Sequence, residues 1–120
     1  LGMPLSEVKG KAILEVGSGA GRFTEHLVKA EAMVHSVDLS VAVEVNKENI
    51  GRCPNYQIAQ ADVYRLPYPE NTFDIVLCLG VIQHTPSPEK TMQALWKMVK
   101  PGGLLVIDHY TLTGCTLLNQ

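Results

Sequence analysis

Charge is scarce in this sequence, and what there is lies scattered. Only 18% of the 120 residues are charged, the ten Lys and Arg form no run, and the net charge is −2 at pH 7. A domain built to grip a nucleic-acid backbone needs clustered cations, so no nucleic-acid partner is expected. Cysteine is sparse as well. Cys53, Cys78 and Cys115 are far apart and odd in number, with no CxxC pair or Cys/His cluster. That pattern gives no metal site and fits a reducing, cytosolic setting. Cys78 sits in an apolar run, where a small apolar filler is the simplest role. No apolar stretch approaches the ~20 residues needed to span a bilayer, so no membrane span is expected. The 46% of apolar residues suits a small domain with a single core. We read 1–120 as one core domain, a piece of a longer chain, since it opens on Leu1-Gly2.

Two kinds of segment alternate along the chain. Short apolar runs at 11–16, 33–37, 56–61, 74–80 and 104–108 read as strands. Between them lie helical patterns: Phe23, Leu27 and Ala30 at helical spacing, a helix over 41–50 behind Ser40, and one opening at Ser87-Pro88-Glu89. The last should turn Met92, Leu95, Trp96 and Val99 inward and stop at Pro101-Gly102-Gly103. Strand–helix alternation with short connections implies parallel strands and right-handed crossovers. The expected architecture is an α/β, doubly wound, Rossmann-like sheet of about five strands, order 3-2-1-4-5, with helices on both faces. On that reading strand 104–108 is a bare apolar edge, open to self-association. The tail "TLTGCTLLNQ" is too short for a further hairpin plus a helix: either it folds over that edge, or another chain does, or the chain is a fragment, the preferred reading.

Ligands of such sheets bind outside the carboxyl ends of the strands, and the unusual residues fall there. "ILEVGSGAGRF" places Gly17, Gly19 and Gly21 at alternate positions after strand 1. A dinucleotide loop wants G-x-G-x-x-G, and a P-loop wants G-K-[ST]; neither is present. Glu15, just before the glycines, would repel a diphosphate and suit a cation. Asp38, at the end of strand 2, can accept from both hydroxyls of a ribose, or else cap the following helix. Asp62 can accept from the exocyclic amine of adenine while the Val63 N–H donates to a ring nitrogen, or else it opens a turn. A phosphate-free adenosyl compound carrying positive charge and an amino acid meets these demands. S-adenosylmethionine is such a compound.

The segments "ILEVGSGAGRFTEHL", "VHSVDLS" and "QADVYRLPYPENTFDIVLCLGVIQHTPSPEKTMQALWKMVKPGGLLVI" resemble successive motifs of the class I S-adenosylmethionine-dependent methyltransferases. The branch most similar includes the ubiquinone and menaquinone C-methyltransferases and many small-molecule methyltransferases. The resemblance implies roles by position. Gly17, Ser18, Gly19 and Gly21 would bring backbone up to the methionine and ribose, and Glu15 would lie near the ammonium. Asp38 would hold the ribose, Leu39 would line the adenine, and Asp62 and Val63 would read the adenine edge. Leu79 and Gly80 would flank the methionine, with Gln83 and His84 at the mouth toward the acceptor. Members of the family often carry two histidines there, whereas this chain has Gln83-His84. The family's sheet usually continues with strands 6 and 7, and the chain reads as truncated before them.

The resemblance implies transfer of a methyl group to a small-molecule acceptor by direct in-line displacement. Aligning the acceptor is then the protein's main task, and proximity alone can lower a barrier by roughly 7–11 kcal/mol. A base is needed only if the acceptor must lose a proton. His84 is the candidate, and a hydrogen-bonded structural histidine is the alternative. A second class of function stands beside the enzyme: a module that binds the same cofactor as a sensor or scaffold, without transfer. A nicotinamide oxidoreductase is disfavoured by the loop spacing and by Glu15.

Overall fold

The structure, a computed structural model, describes residues 5–79, 85–108 and 115–119. Six strands form one sheet in the order β3-β2-β1-β4-β5-β6. They are β1 (Ala12–Val16), β2 (Met33–Asp38), β3 (Tyr56–Gln60), β4 (Phe73–Cys78), β5 (Val99–Asp108) and β6 (Cys115–Asn119). The first five are mutually parallel, as the strand–helix alternation requires, and their order is the expected 3-2-1-4-5. Helices α1 (Arg22–Lys29), α2 (Ala42–Ile50) and α3 (Pro88–Trp96) make the crossovers. The order reverses between β1 and β4, the switch point where such sheets take their ligands.

Two-residue alternation sorts the core onto two faces. Leu14, Val16, Val37, Phe73, Val76, Leu105 and Ile107 pack on the α3 side with Leu95. Ile13, Val34, Ile75, Leu77 and Val106 pack on the α1 side with Leu27. Burying both faces explains why β1 and β4 read as nearly continuous apolar runs. The alternation also puts Glu15, two residues beyond Ile13, on the α1 face. In the parallel register it lies directly between Ser36 of β2 and Leu77 of β4.

Three expectations are corrected. First, strand 104–108 is not a bare edge. β6 pairs antiparallel with it, from Leu104↔Asn119 to Asp108↔Cys115. The tail is too short for a hairpin plus a helix, but one strand suffices to cover the edge, so the sheet has six strands and the proposed surface for self-association is occupied. Second, α3 ends at Trp96, well before Pro101-Gly102-Gly103, and Val99 belongs to β5 rather than to the helix stripe. Val99 pairs with Phe73 and Leu104 with Ile75, so the residues between them bulge out of register. Gly103 permits this: a Cβ there would lie 2.6 Å from the Asp74 carbonyl oxygen and 2.8 Å from Val99 Cγ1. Third, Ser40 is not the N-cap of α2. That position is Val41, and Ser40 Oγ accepts from the Ala42 N–H at 3.1 Å from one residue outside. Ser87 does cap α3 as read, accepting from the Lys90 N–H.

Candidate functional site

The glycine loop leaves β1 still bonded to β2, with the N–H groups of Gly17 and Ser18 both donating to the Val37 carbonyl, at 2.9 and 3.2 Å. It then turns through left-handed backbone at Gly19 (φ 55°) and Gly21 (φ 97°). The two glycines are needed for different reasons. At Gly21 a Cβ would meet the Asn46 amide at 3.2 Å, so the space is already taken. At Gly19 a Cβ would face open space, and the conformation is what favours glycine there.

Asp38 fastens this loop to the tip of β2. Its Oδ2 accepts from the Gly19 N–H at 2.8 Å, and its Oδ1 accepts from the Ser40 N–H and hydroxyl at 2.9 and 2.7 Å. Partial burial pushes its pKa up, but the Ser40 and Gly19 donors outweigh burial and hold it below the usual carboxylate range. Asp38 is therefore an anion at neutral pH. Asp62 follows β3 and accepts from the Tyr64 N–H at 2.9 Å through Oδ1, capping a short 3-10 turn at Val63–Arg65. The turn reading of Asp62 is thus correct for one of its oxygens. The Tyr64 hydroxyl shares a 2.8 Å hydrogen bond with Thr91 Oγ1, which ties this turn to α3.

Glu15 is the electrostatic anomaly. It is 5% exposed, and its Oε1 accepts from both Thr24 and Ser36 hydroxyls, the latter at 2.8 Å. Desolvation raises its pKa. The two hydroxyls oppose this, and the Asp38 charge adds to it. Among the described residues no ion pair reaches it. A buried acid without a cation is costly unless a ligand brings one.

Two cavities meet over β1. One, of about 400 Å³, is lined by Gly17, Asp38, Leu39, Asp62, Val63 and Tyr64, among others. The other, of about 140 Å³, is lined by Glu15, Gly17, Ser18, Arg22, Phe23 and Leu79, and both include Val16. Ser18 is buried there, and its Oγ has no hydrogen-bond partner among the described residues. A larger hollow of about 690 Å³ lies beside Arg52 and Tyr56, where β3 begins. It is wide open to solvent and sits at the amino ends of the strands, away from the glycines and acids, so the paired cavities are the better candidate. Gly80, Gln83 and His84 lie outside the described residues. Sequence reasoning missed Arg22, Tyr64 and Asn46. Arg22 could have been found as the first helical residue after the last glycine, but Asn46 carries no local signal.

The fold is a doubly wound α/β domain, and these two cavities lie at the carboxyl ends of its first strands, beside the switch point. The chain belongs to a methyltransferase-domain family, whose model matches residues 14–107. A ubiquinone biosynthesis O-methyltransferase from Azoarcus sp. is 36% identical over 98 residues, covering 78% of this chain but 42% of that protein. The chain thus spans less than half the length of that relative. Among solved structures, a SAM-dependent methyltransferase from Aquifex aeolicus superposes with a TM-score of 0.75 at 24% identity, covering 83% of this chain and 57% of that one. The [4+2]-cyclase SpnF superposes with a TM-score of 0.76 at 22% identity, covering 86% of this chain and 41% of that one. These two likenesses speak for the fold alone.

Proposed function

We propose that the chain is the S-adenosylmethionine-binding core of a methyltransferase acting on a small-molecule acceptor. The observation that carries this reading is Glu15, a buried carboxylate with no cationic partner among the described residues, in a cavity that shares Val16 and Gly17 with the one lined by Asp38 and Asp62. The residues fit the cofactor. Glu15 and Arg22 line the same small cavity, and an acid with a guanidinium suits the ammonium and carboxylate of an amino acid. The unpartnered Ser18 Oγ can bond the same end.

When bound, the cofactor supplies a methyl group already activated on a sulfonium. The chain's residues hold, orient and exclude water. An ionised carboxylate offers about four acceptor sites. Three of those on Asp38 are engaged within the chain, and ribose hydroxyls compete for the remainder. Asp62 Oδ1 is occupied by the turn it caps, which leaves Oδ2 for the adenine amine, beside Val63. Leu39, exposed at the rim, covers the ring. Leu79 lies against the methionine end. The relative's name points to an oxygen acceptor. A hydroxyl acceptor would need a base, the role left to His84.

Among the described residues no helix is long and apolar enough to cross a membrane, and cysteine usage supports placing the protein in the cytosol. Calorimetric titration with S-adenosylhomocysteine and with NAD tests the cofactor. Preference for NAD would overturn the reading. Transfer of label from the cofactor's methyl to an acceptor by the full gene product tests the chemistry. Tight binding of S-adenosylhomocysteine with no turnover of any acceptor would favour a module that binds the cofactor without transfer.

A further inference from the structure

A buried polar chain runs beneath the glycine loop. The Tyr56 hydroxyl, on β3, donates to Asn46 Oδ1 on α2. Asn46 Nδ2 donates to the Gly19 carbonyl at 3.1 Å and to Thr24 Oγ1 at 3.3 Å. Thr24 in turn donates to Glu15. Asn46 and Thr24 are fully buried. Every donor in this chain points the same way, from Tyr56 toward the Glu15 carboxylate.

The direction is forced at both ends. The Gly19 carbonyl can only accept, so the amide nitrogen of Asn46 must face it. That leaves Oδ1 facing Tyr56, which must donate. Burial, with smaller contributions from Glu15 and Cys53, pushes the Tyr56 phenol up to about 12, so it keeps its proton at any working pH. A flipped amide would set Oδ1 against the Gly19 carbonyl, acceptor against acceptor, and lose that hydrogen bond. The Asn46 amide also fills the space next to Gly21. One side chain therefore touches the loop at two of its three glycines and, through Thr24, reaches the acid in the smaller cavity.

We infer that Asn46, oriented by Tyr56, is a positioning residue that sets the glycine loop and Glu15 for cofactor binding. Neither residue lines the two cavities over β1, so each acts through others. This rests on the cofactor reading above. It predicts that losing the orienting hydroxyl loosens the loop before it loosens the core.

The test uses Tyr56→Phe and Asn46→Asp. Tyr56→Phe keeps the ring and removes only the donor, while Asn46→Asp puts an acceptor where Gly19 needs a donor. Two quantities are read on the whole chain: amide hydrogen exchange without ligand, and the Kd for S-adenosylhomocysteine. Tyr56→Phe should speed exchange at Gly19 and Gly21 selectively, leave β1 and β4 amides unchanged, and raise Kd about fivefold, as expected for one net hydrogen bond. Asn46→Asp should raise Kd by at least about tenfold, because it leaves a buried carbonyl facing an acceptor. Unchanged loop exchange and Kd in Tyr56→Phe would overturn the inference. So would uniformly faster exchange across the sheet with an unchanged Kd, since that is a purely structural role. Should the wild-type chain fail to bind S-adenosylhomocysteine, the cofactor reading falls, and the exchange pattern alone then decides the role of Asn46.

Discussion

Glu15→Gln separates what the site needs from what the fold needs. Both hydroxyls that reach Glu15 donate to one oxygen, Oε1. A glutamine can present its own Oε1 to the same two donors, so the substitution keeps the hydrogen bonds and removes the charge. In the ligand-free protein that charge is a burden. Desolvation raises the Glu15 pKa above its ordinary 4.5, so the folded state holds this proton at pH values where the unfolded chain has released it. Stability then falls as pH rises from about 4.5 through the raised folded pKa, and stays lower above it. At neutral pH the glutamine variant should therefore be as stable as wild type or more so. A gain of ~1 kcal/mol would raise Tm by about 4 °C in a domain of this size. Cofactor binding should move the other way. A hydrogen bond to a charged group is worth roughly 1.5–3 kcal/mol, so Kd for S-adenosylhomocysteine should rise about 10- to 150-fold. Scanning calorimetry at pH 5 and pH 8, with isothermal titration on the same samples, reads both. A variant that binds as tightly as wild type would refute the ammonium assignment. A Tm that drops at pH 8 would refute the claim that the charge burdens the fold.

Asp38→Ala removes the ribose acceptor and the clamp on Gly19 together. It should weaken S-adenosylhomocysteine binding by about 10-fold or more, as measured by titration calorimetry, with little change in far-UV circular dichroism. His35 packs edge-on against Tyr68 and Phe73, its Nδ1 has no partner among the described residues, and burial lowers its pKa below 6.5. The unfolded chain therefore binds this proton first, and stability should be full above about pH 6.5 and decline as pH falls below it. His35→Phe should flatten that part of a Tm–pH profile. Gly103→Ala forces a Cβ against the Asp74 carbonyl and should cost about 1–3 kcal/mol in denaturant unfolding; an unchanged midpoint would mean the bulge can relax.

Period and punctuation made most of this fold legible. The apolar runs, the glycines after β1 and the Ser87-Pro88 helix start each act within a few residues, and their order alone fixes a parallel sheet with its switch point at β1 and β4. The misreadings share a cause. Pro101-Gly102-Gly103 reads locally as a helix stop, yet it serves as a bulge because the pairing of Val99 with Phe73 extends β5 backward past it. Local signals in the tail do not decide between a fold over the edge and a break in the chain, while the sheet needs from it only one antiparallel strand. Both are tertiary demands that override local signals.

The acids at the strand tips were legible as cavity residues for the same reason the strands were: each follows directly on an apolar run, and Asp38 and Asp62 line one cavity. Asn46 was not. In sequence it is one polar residue on a weakly patterned helix, indistinguishable from Asn49, whose amide bonds the Ala20 carbonyl from an exposed position. Its burial arises only because α2 crosses the loop at Gly21, where a Cβ would press against the Asn46 amide at 3.2 Å, and because Tyr56 arrives from β3 to fix the amide's direction. Three chain segments must meet before its role exists. The same holds for Glu15. Its place before the glycines suggests a cation, but its burial, its bonds to Thr24 and Ser36 and the absence of an ion pair among the described residues appear only once the α1 face is assembled. Residues that line the cavities can be read from the strand ends. Residues that hold them in place have to be read from the packing, so substitutions at Asn46 and Tyr56, outside both cavities, are where the two kinds of residue can be told apart.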